Sequence, residues 1–459
     1  MNTTNKTNYY ITNIYLVVLS LVILFGRSFT GIYIGSFRVG EFMIAFCLIL
    51  SLLFLISPHT TLLCPTGKAT FYFHKLIIIS FFSSALLTKT SFFQTYTYQS
   101  SSYIWTLFFL NIGIFFTKNI ELKSWFFKLL PFLLPLLYIL STILFPEVLE
   151  NFFLNYSDKF DFVKASDLLV VYVGTNYILR IIYKSSLIDF SYFIISSAIY
   201  IPFLLFKSKG AFFPAVIFIL FNLIFYITFT KRNKLKTVTL LFLAIPIFFI
   251  STFHIYGNFS FTKLGQDGYS QDDISVSSQI QESITGLVSQ KNTGDIFYSF
   301  YILDGRLYSQ EQMANWRLQI WQDITRDLFW EANYYQDENF YLVRQQGERR
   351  NDIFFSGFGY KEILPSMNHW ERTGTDGTNQ NPHNFLFNSL GRGGVFQPIL
   401  IILFHISIFI YWFKKYRNLN ILLFMLPVLM TSFFDASMES VRFPFVYYSF
   451  LGIILNNKI

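Results

Sequence analysis

Apolar runs of about 15 to 21 residues recur along most of this chain, with few charges between them. A helix needs about 20 mostly apolar residues to cross a bilayer, and any backbone that crosses lipid must satisfy its own polar groups. Runs of that length, repeated, leave a bundle of membrane-spanning helices as the fold. Composition agrees, because only 14% of residues are charged and 53% are hydrophobic, whereas soluble domains carry about 25% charged residues. The expected fold class is all-α: a polytopic membrane helix bundle of about twelve transmembrane helices.

The runs fall at residues 10–26, 41–57, 72–87, 103–117, 125–145, 168–183, 190–206, 211–230, 237–254, 397–413, 419–434 and 441–455. The first has no small-residue cleavage site after it and is expected to be a retained helix. The sixth carries Asn176 and Arg180 inside an apolar stretch, so a broken, re-entrant or deeply packed helix is expected there. Pro131, Pro135, Pro246 and Pro427 interrupt other runs, and kinks are expected at them. Three segments follow: spans one to nine over 1–254, one long polar loop over 255–394, and spans ten to twelve over 395–459.

Orientation comes from the short loops. Lys231, Arg232, Lys234 and Lys236 precede the ninth span, and Lys414, Lys415 and Arg417 follow the tenth. Short basic loops stay cytoplasmic. Both termini are then inside and the long loop outside. That loop holds 11 basic and 17 acidic residues, against 24 and 10 in the rest of the chain. The net charge of +8 therefore reflects topology, and nothing in the pattern points to nucleic acid.

The loop is expected to be mostly helical. Met313, Trp316, Ile320, Ile324 and Leu328 recur at helical spacing within 311–329, an amphipathic helix that sets Arg317 and Trp321 on one face. Residues 262–281 and 374–380 lack any apolar period and are expected to be surface connections.

Several basic residues stand on the outer side against the topological bias: Arg27, Arg38, Lys207, Lys209, Arg392 and Arg442. Singly, each is explained by snorkelling or by pairing with loop carboxylates. Together with His383, where the polar loop meets the tenth span, they suggest an anionic ligand at the membrane surface. Two cysteines, Cys47 and Cys64, are too few for a disulfide framework or a thiolate metal site. No phosphate-cradling Gly-Lys-Ser loop, zinc-spaced histidine pair or nucleophile-elbow serine occurs. No metal or cofactor is expected.

Four short motifs occur in order. Ser208-Lys209-Gly210-Ala211 opens the eighth span, Arg317-x-x-x-Trp321 lies on the loop helix, and Ser356-Gly357-Phe358-Gly359 follows it. His383-Asn384, nine further residues and Gly394 close the series. This series resembles the bacterial O-antigen ligase and polymerase superfamily, over about residues 165–415. Two positions depart from that pattern: Lys209 replaces the usual Arg, losing a bidentate fork, and Gln397 replaces a second Gly. About twenty residues, 331–352, also intervene before the Gly-x-Gly turn.

The resemblance implies a GT-C type glycosyltransferase of the bacterial inner membrane with a large periplasmic loop domain. It would use a glycan carried on undecaprenyl diphosphate, and membrane lipids and a chain-length regulator would be further partners. Under that reading His383 and Arg317 are catalytic. Lys209, Arg38, Arg180, Arg442, Asn384 and Trp321 would bind the diphosphate or the glycan. Transfer would be metal-independent and inverting. A polymerase joining repeat units and a ligase transferring finished glycan to lipid A core share this chemistry. A lipid-linked sugar flippase is the alternative from another class.

Overall fold

The computed structural model describes residues 3–56, 66–92, 94–118, 124–143, 145–160, 164–184, 186–257, 300–303, 305–309, 312–336, 342–373 and 380–456. All twelve apolar runs are helical. Among the described residues, eight helices are long and apolar enough to cross a membrane: Tyr9–Thr30, Val39–Ile56, Lys68–Leu87, Trp125–Thr142, Ala165–Tyr183, Leu187–Lys207, Lys234–His254 and Phe396–Tyr416. The other four runs give shorter apolar helices, Ser102–Thr117, Gly210–Tyr226 and Leu422–Ser432, and the 15-residue Arg442–Asn456. The fourth run is shortened as a regular helix because its chain tightens into a 3-10 turn at Thr106–Phe108.

The chain divides into two compact units. One comprises Met1–Phe71, Ser102–Ser270 and Ile406–Ile459. At its heart lies Ala165–Tyr183, the sixth run. It is one continuous helix, buried along nearly its whole length, so of the three forms expected only deep packing holds. It packs against Trp125–Thr142, Leu187–Lys207, Leu422–Ser432 and Arg442–Asn456. Asn176 is satisfied there: its amide donates to the Tyr172 carbonyl at 2.8 Å and to Ser196 Oγ at 3.3 Å.

The prolines sit inside helices, and a neighbouring helix takes over one freed carbonyl. Pro135 has no N–H to give the carbonyl four residues earlier, and that carbonyl, Pro131 O, accepts instead from the Tyr192 hydroxyl at 3.0 Å. An abrupt change of direction occurs at a glycine: Gly26, at φ 48°, divides the first helix. Large apolar side chains are exposed on Lys234–Gly257, among them Leu235, Phe242, Ile250 and Phe253. So much exposed apolar surface fits a lipid environment.

Small residues set the closest packing, as is usual between helices in lipid. A Cβ on Gly452 would lie 2.7 Å from the Gly113 carbonyl carbon and from Ile114 N. These are backbone atoms that cannot rotate away. Gly452→Val is therefore expected to cost about 1–3 kcal/mol through overpacking, seen as a lowered thermal midpoint of the detergent-solubilised protein. An unchanged midpoint would contradict this close approach.

The second unit comprises Tyr72–Ser101 and Gln271–His405. Its centre is the helix Gln312–Asp327, which the apolar spacing predicts. Ile320, Ile324 and Leu328 are buried as expected; the side chain of Met313 lies outside the described residues. Ile320 and Ile324 join Leu364 and Met367 in a small core, with Trp316, Trp321, Phe358, Ile363 and Phe387 packed against it.

The loop is not mostly helical among its described residues. Two antiparallel hairpins flank the helix: Phe300–Leu303 with Arg306–Ser309, and Trp330–Gln336 with Leu342–Arg349. In the first strand of the second hairpin, Trp330, Ala332 and Tyr334 are partly covered while Glu331, Asn333 and Tyr335 are exposed. That alternation has the two-residue period of a strand. The first hairpin is held to the helix by Gln322, whose side chain accepts from Leu307 N at 2.8 Å and donates to Leu307 O at 2.7 Å. The connection 262–281 lies outside the described residues, as does most of 374–380.

Candidate functional site

Three of the four motifs lie in the second unit. The loop helix brings Trp316, Arg317 and Trp321 to one region. The Trp321 indole donates to the Pro382 carbonyl at 2.8 Å, and its ring stacks on Phe387 at 5.2 Å with the planes 5° apart. Trp321 thus grips the chain on both sides of His383 and Asn384. Its N–H and one ring face are thereby engaged within the chain.

His383 is partly buried and adopts φ 52°. A non-glycine residue in the left-handed region costs about 1–2 kcal/mol, and such conformations persist only where the surroundings fix them. Here the fixing groups are the Trp321–Pro382 bond before it and a helix cap after it. The His383 ring meets Trp316 edge to face at 5.4 Å and 69°. Arg317 follows Trp316 in the same helix and is partly buried.

Asn384 is the N-cap of the helix Phe385–Gly393. Its Oδ1 accepts from Leu386 N at 3.0 Å and from Phe387 N at 3.3 Å, and the residue is buried. A cap of this kind satisfies donors that the helix start would otherwise leave to a ligand. The side-chain oxygen of this expected substrate contact thus serves the start of the helix. Asn384→Ala is expected to cost about 1 kcal/mol of stability, read as a lowered melting midpoint, whereas Asn384→Asp keeps the acceptor and should keep the midpoint.

The Gly-x-Gly turn packs against the far end of that helix. Phe358 N donates to Gly391 O at 2.7 Å and Gly359 N to Arg392 O at 3.0 Å. Gly357 and Gly359 have φ 66° and 80°, and a Cβ on Gly357 would lie 2.4 Å from Arg392 O. Only glycine fits this turn. Gln397, the departure from the resembled pattern, folds its side chain over Gly393, where a Cβ would lie 2.3 Å from Oε1. That oxygen also accepts from the Tyr360 hydroxyl at 2.8 Å.

Two arrangements in this unit were not legible in the sequence. Arg392 is fully buried, donating to Asn388 Oδ1 at 2.9 Å, to the Glu362 carbonyl at 3.1 Å and to the Tyr96 hydroxyl at 2.8 Å. Its place near the C-terminal end of its helix suits a cation. The second is an ion network on the loop helix. Asp323 meets Arg306 at 2.8 Å and Arg372 at 2.6 Å, and Asp327 meets Arg344 at 2.9 Å and the Tyr334 hydroxyl at 2.6 Å. Burial raises the Asp327 carboxyl above its usual value, against the opposite pull of Tyr334 and Arg344.

The remaining expected ligand residues belong to the first unit, and carboxylates or amides hold three of them. Arg38 meets Glu41 at 2.5 Å and Asp158 at 2.9 Å, with Arg27 sharing Asp158 at 3.3 Å. Arg442 forms a buried pair with Asp167 at 2.7 Å. Arg180 donates to Asn222 at 3.4 Å and lies over the Phe225 ring at 4.1 Å. Cations matched in this way have less charge to offer a diphosphate. The side chain of Lys209 lies outside the described residues; its backbone starts the helix Lys209–Arg232.

Compared with protein-family models, curated proteins and solved structures, the chain matches none.

Proposed function

We propose that this chain is a bacterial membrane glycosyltransferase of the O-antigen polymerase and ligase kind. Its substrate is a glycan carried on undecaprenyl diphosphate. The observation that supports this most is the meeting of three motifs that are distant in sequence. The Trp of Arg317-x-x-x-Trp321 bonds Pro382 beside His383, and the Gly-x-Gly turn bonds the helix that follows Asn384. A merely structural loop has no need to hold a half-buried histidine in a left-handed conformation beside an arginine-bearing helix.

In this reading the chain crosses the inner membrane twelve times, with both termini cytoplasmic and the loop in the periplasm. An acceptor hydroxyl attacks the anomeric carbon, and its proton passes to the His383 imidazole. A carbon–oxygen bond forms on one face of the sugar as the bond to the phosphate oxygen breaks on the other, so configuration inverts. The electron pair leaves on the diphosphate, where Arg317 offsets the developing charge. The polymerase assignment is preferred because an enlarged, acidic loop can accommodate a growing glycan.

Lipid-linked intermediates in a deletion strain test the class. A transferase predicts accumulation on the outer leaflet, and accumulation on the inner leaflet would point to a flippase instead. Single repeat units on lipid A core mark a polymerase; bare core with long lipid-linked polymer marks a ligase.

A further inference from the structure

The ion network on the loop helix gathers more arginines than carboxylates among the described residues. Asp323 and Asp327 lie one turn apart on the helix Gln312–Asp327, and both are buried. Four arginines converge on them from separate segments. Arg306 comes from the first hairpin, Arg344 from the second, Arg372 from the short helix Trp370–Thr373, and Arg350 from just beyond the second hairpin. The first three bond the carboxylates, and Arg350 bonds the Asp327 carbonyl at 2.8 Å. Among the described residues, four guanidiniums thus stand around two carboxylates.

Two donors of this cluster are also unused. Arg344 Nη2 and Arg306 Nε are buried and have no acceptor among the described residues, and only 5% of the Arg344 side chain is exposed. A buried donor left unmade is costly, the more so on a charged group. Stability alone would have been served by a third carboxylate or by an apolar contact. Arg306, with 17% of its side chain exposed, carries the cluster to the surface.

We propose that this network is a binding site for an oxyanion: the carboxylate of an acidic sugar, or a phosphate group. Guanidinium forks match either group with paired, charge-assisted hydrogen bonds. The proposal does not depend on the transferase reading.

The test uses the full chain in detergent, with thermal midpoints measured in sodium sulfate, sodium glucuronate, glucose, and sodium chloride at matched ionic strength. Binding to the folded state raises the midpoint in proportion to occupancy. Sulfate or glucuronate is expected to raise it by roughly 2 °C or more beyond chloride, and glucose to leave it unchanged. A response to glucuronate alone assigns the site to a sugar acid, and a response to sulfate alone to a phosphate source. Arg306→Lys keeps the charge beside Asp323 but removes Nε, and Arg344→Gln removes the unused donor; each should cut the anion-specific shift. Equal shifts in chloride and sulfate, or shifts that survive both substitutions, mean an adventitious ion only and overturn the proposal.

Discussion

His383→Ala, restored to a deletion strain at wild-type protein level, is expected to leave no polysaccharide ladder. Loss of a positioned general base lowers rates by about 10²–10⁴-fold, enough to remove all but trace product. Imidazole is the side chain suited to accepting and returning a proton near neutral pH. The substitution should not unfold the loop, because the helix cap belongs to Asn384 and the small core to Ile320, Ile324, Leu364 and Met367. Alanine at a left-handed position carries a cost comparable to that of histidine, so stability should change little. His383→Asn, which tolerates the same backbone, separates the two effects. If it restores the ladder, the residue serves the backbone and not the chemistry.

Arg317→Ala is expected to lower transfer by about 10²–10³-fold, the usual consequence of removing one electrostatic contact to a developing negative charge. Arg317→Lys should recover only part of this, since an ammonium keeps the charge but not the planar fork. The measurement is the rate of glycan transfer at saturating lipid-linked donor, which separates weak binding from slow chemistry. Full activity in Arg317→Ala would remove the arginine from the reaction. The matched ion pairs of Arg38 and Arg442 predict a different outcome for them: their loss should act first on stability, through the carboxylates left behind.

The membrane-spanning architecture was legible because apolar runs of sufficient length admit few other readings in lipid. Even the sixth run, with Asn176 and Arg180 inside it, is a helix, and its polar groups face buried partners at Tyr172, Ser196 and Asn222. The loop helix was legible from spacing alone, since Ile320 and Ile324 had to lie on one face. The second hairpin was not. In its first strand, WEANYYQ, Trp330, Ala332 and Tyr334 do alternate with Glu331 and Asn333, but five residues are too short a run to outweigh the polar sequence around it.

At the site, the sequence identifies residue types but not their work. Asn384 looked like a ligand, although an Asn directly before an apolar helical stretch is also the signature of an N-cap. The contacts of Trp321 with Pro382 and Phe387 join segments about sixty residues apart and could not be read from its helical spacing. The left-handed conformation of His383 leaves no trace in the sequence, because it is imposed by tertiary contacts on either side. The partners of Asp323 and Asp327 come from three separate segments of chain, and no local pattern joins them.

The most direct measurement incubates purified protein with an undecaprenyl diphosphate-linked oligosaccharide, and follows glycan length together with free undecaprenyl diphosphate. The proposed reaction predicts longer glycans and release of the carrier in equal measure from the wild type, and neither from His383→Ala. If the wild type leaves the lipid-linked oligosaccharide unconsumed, or if His383→Ala consumes it at the wild-type rate, the assignment of glycosyl transfer to this site is wrong.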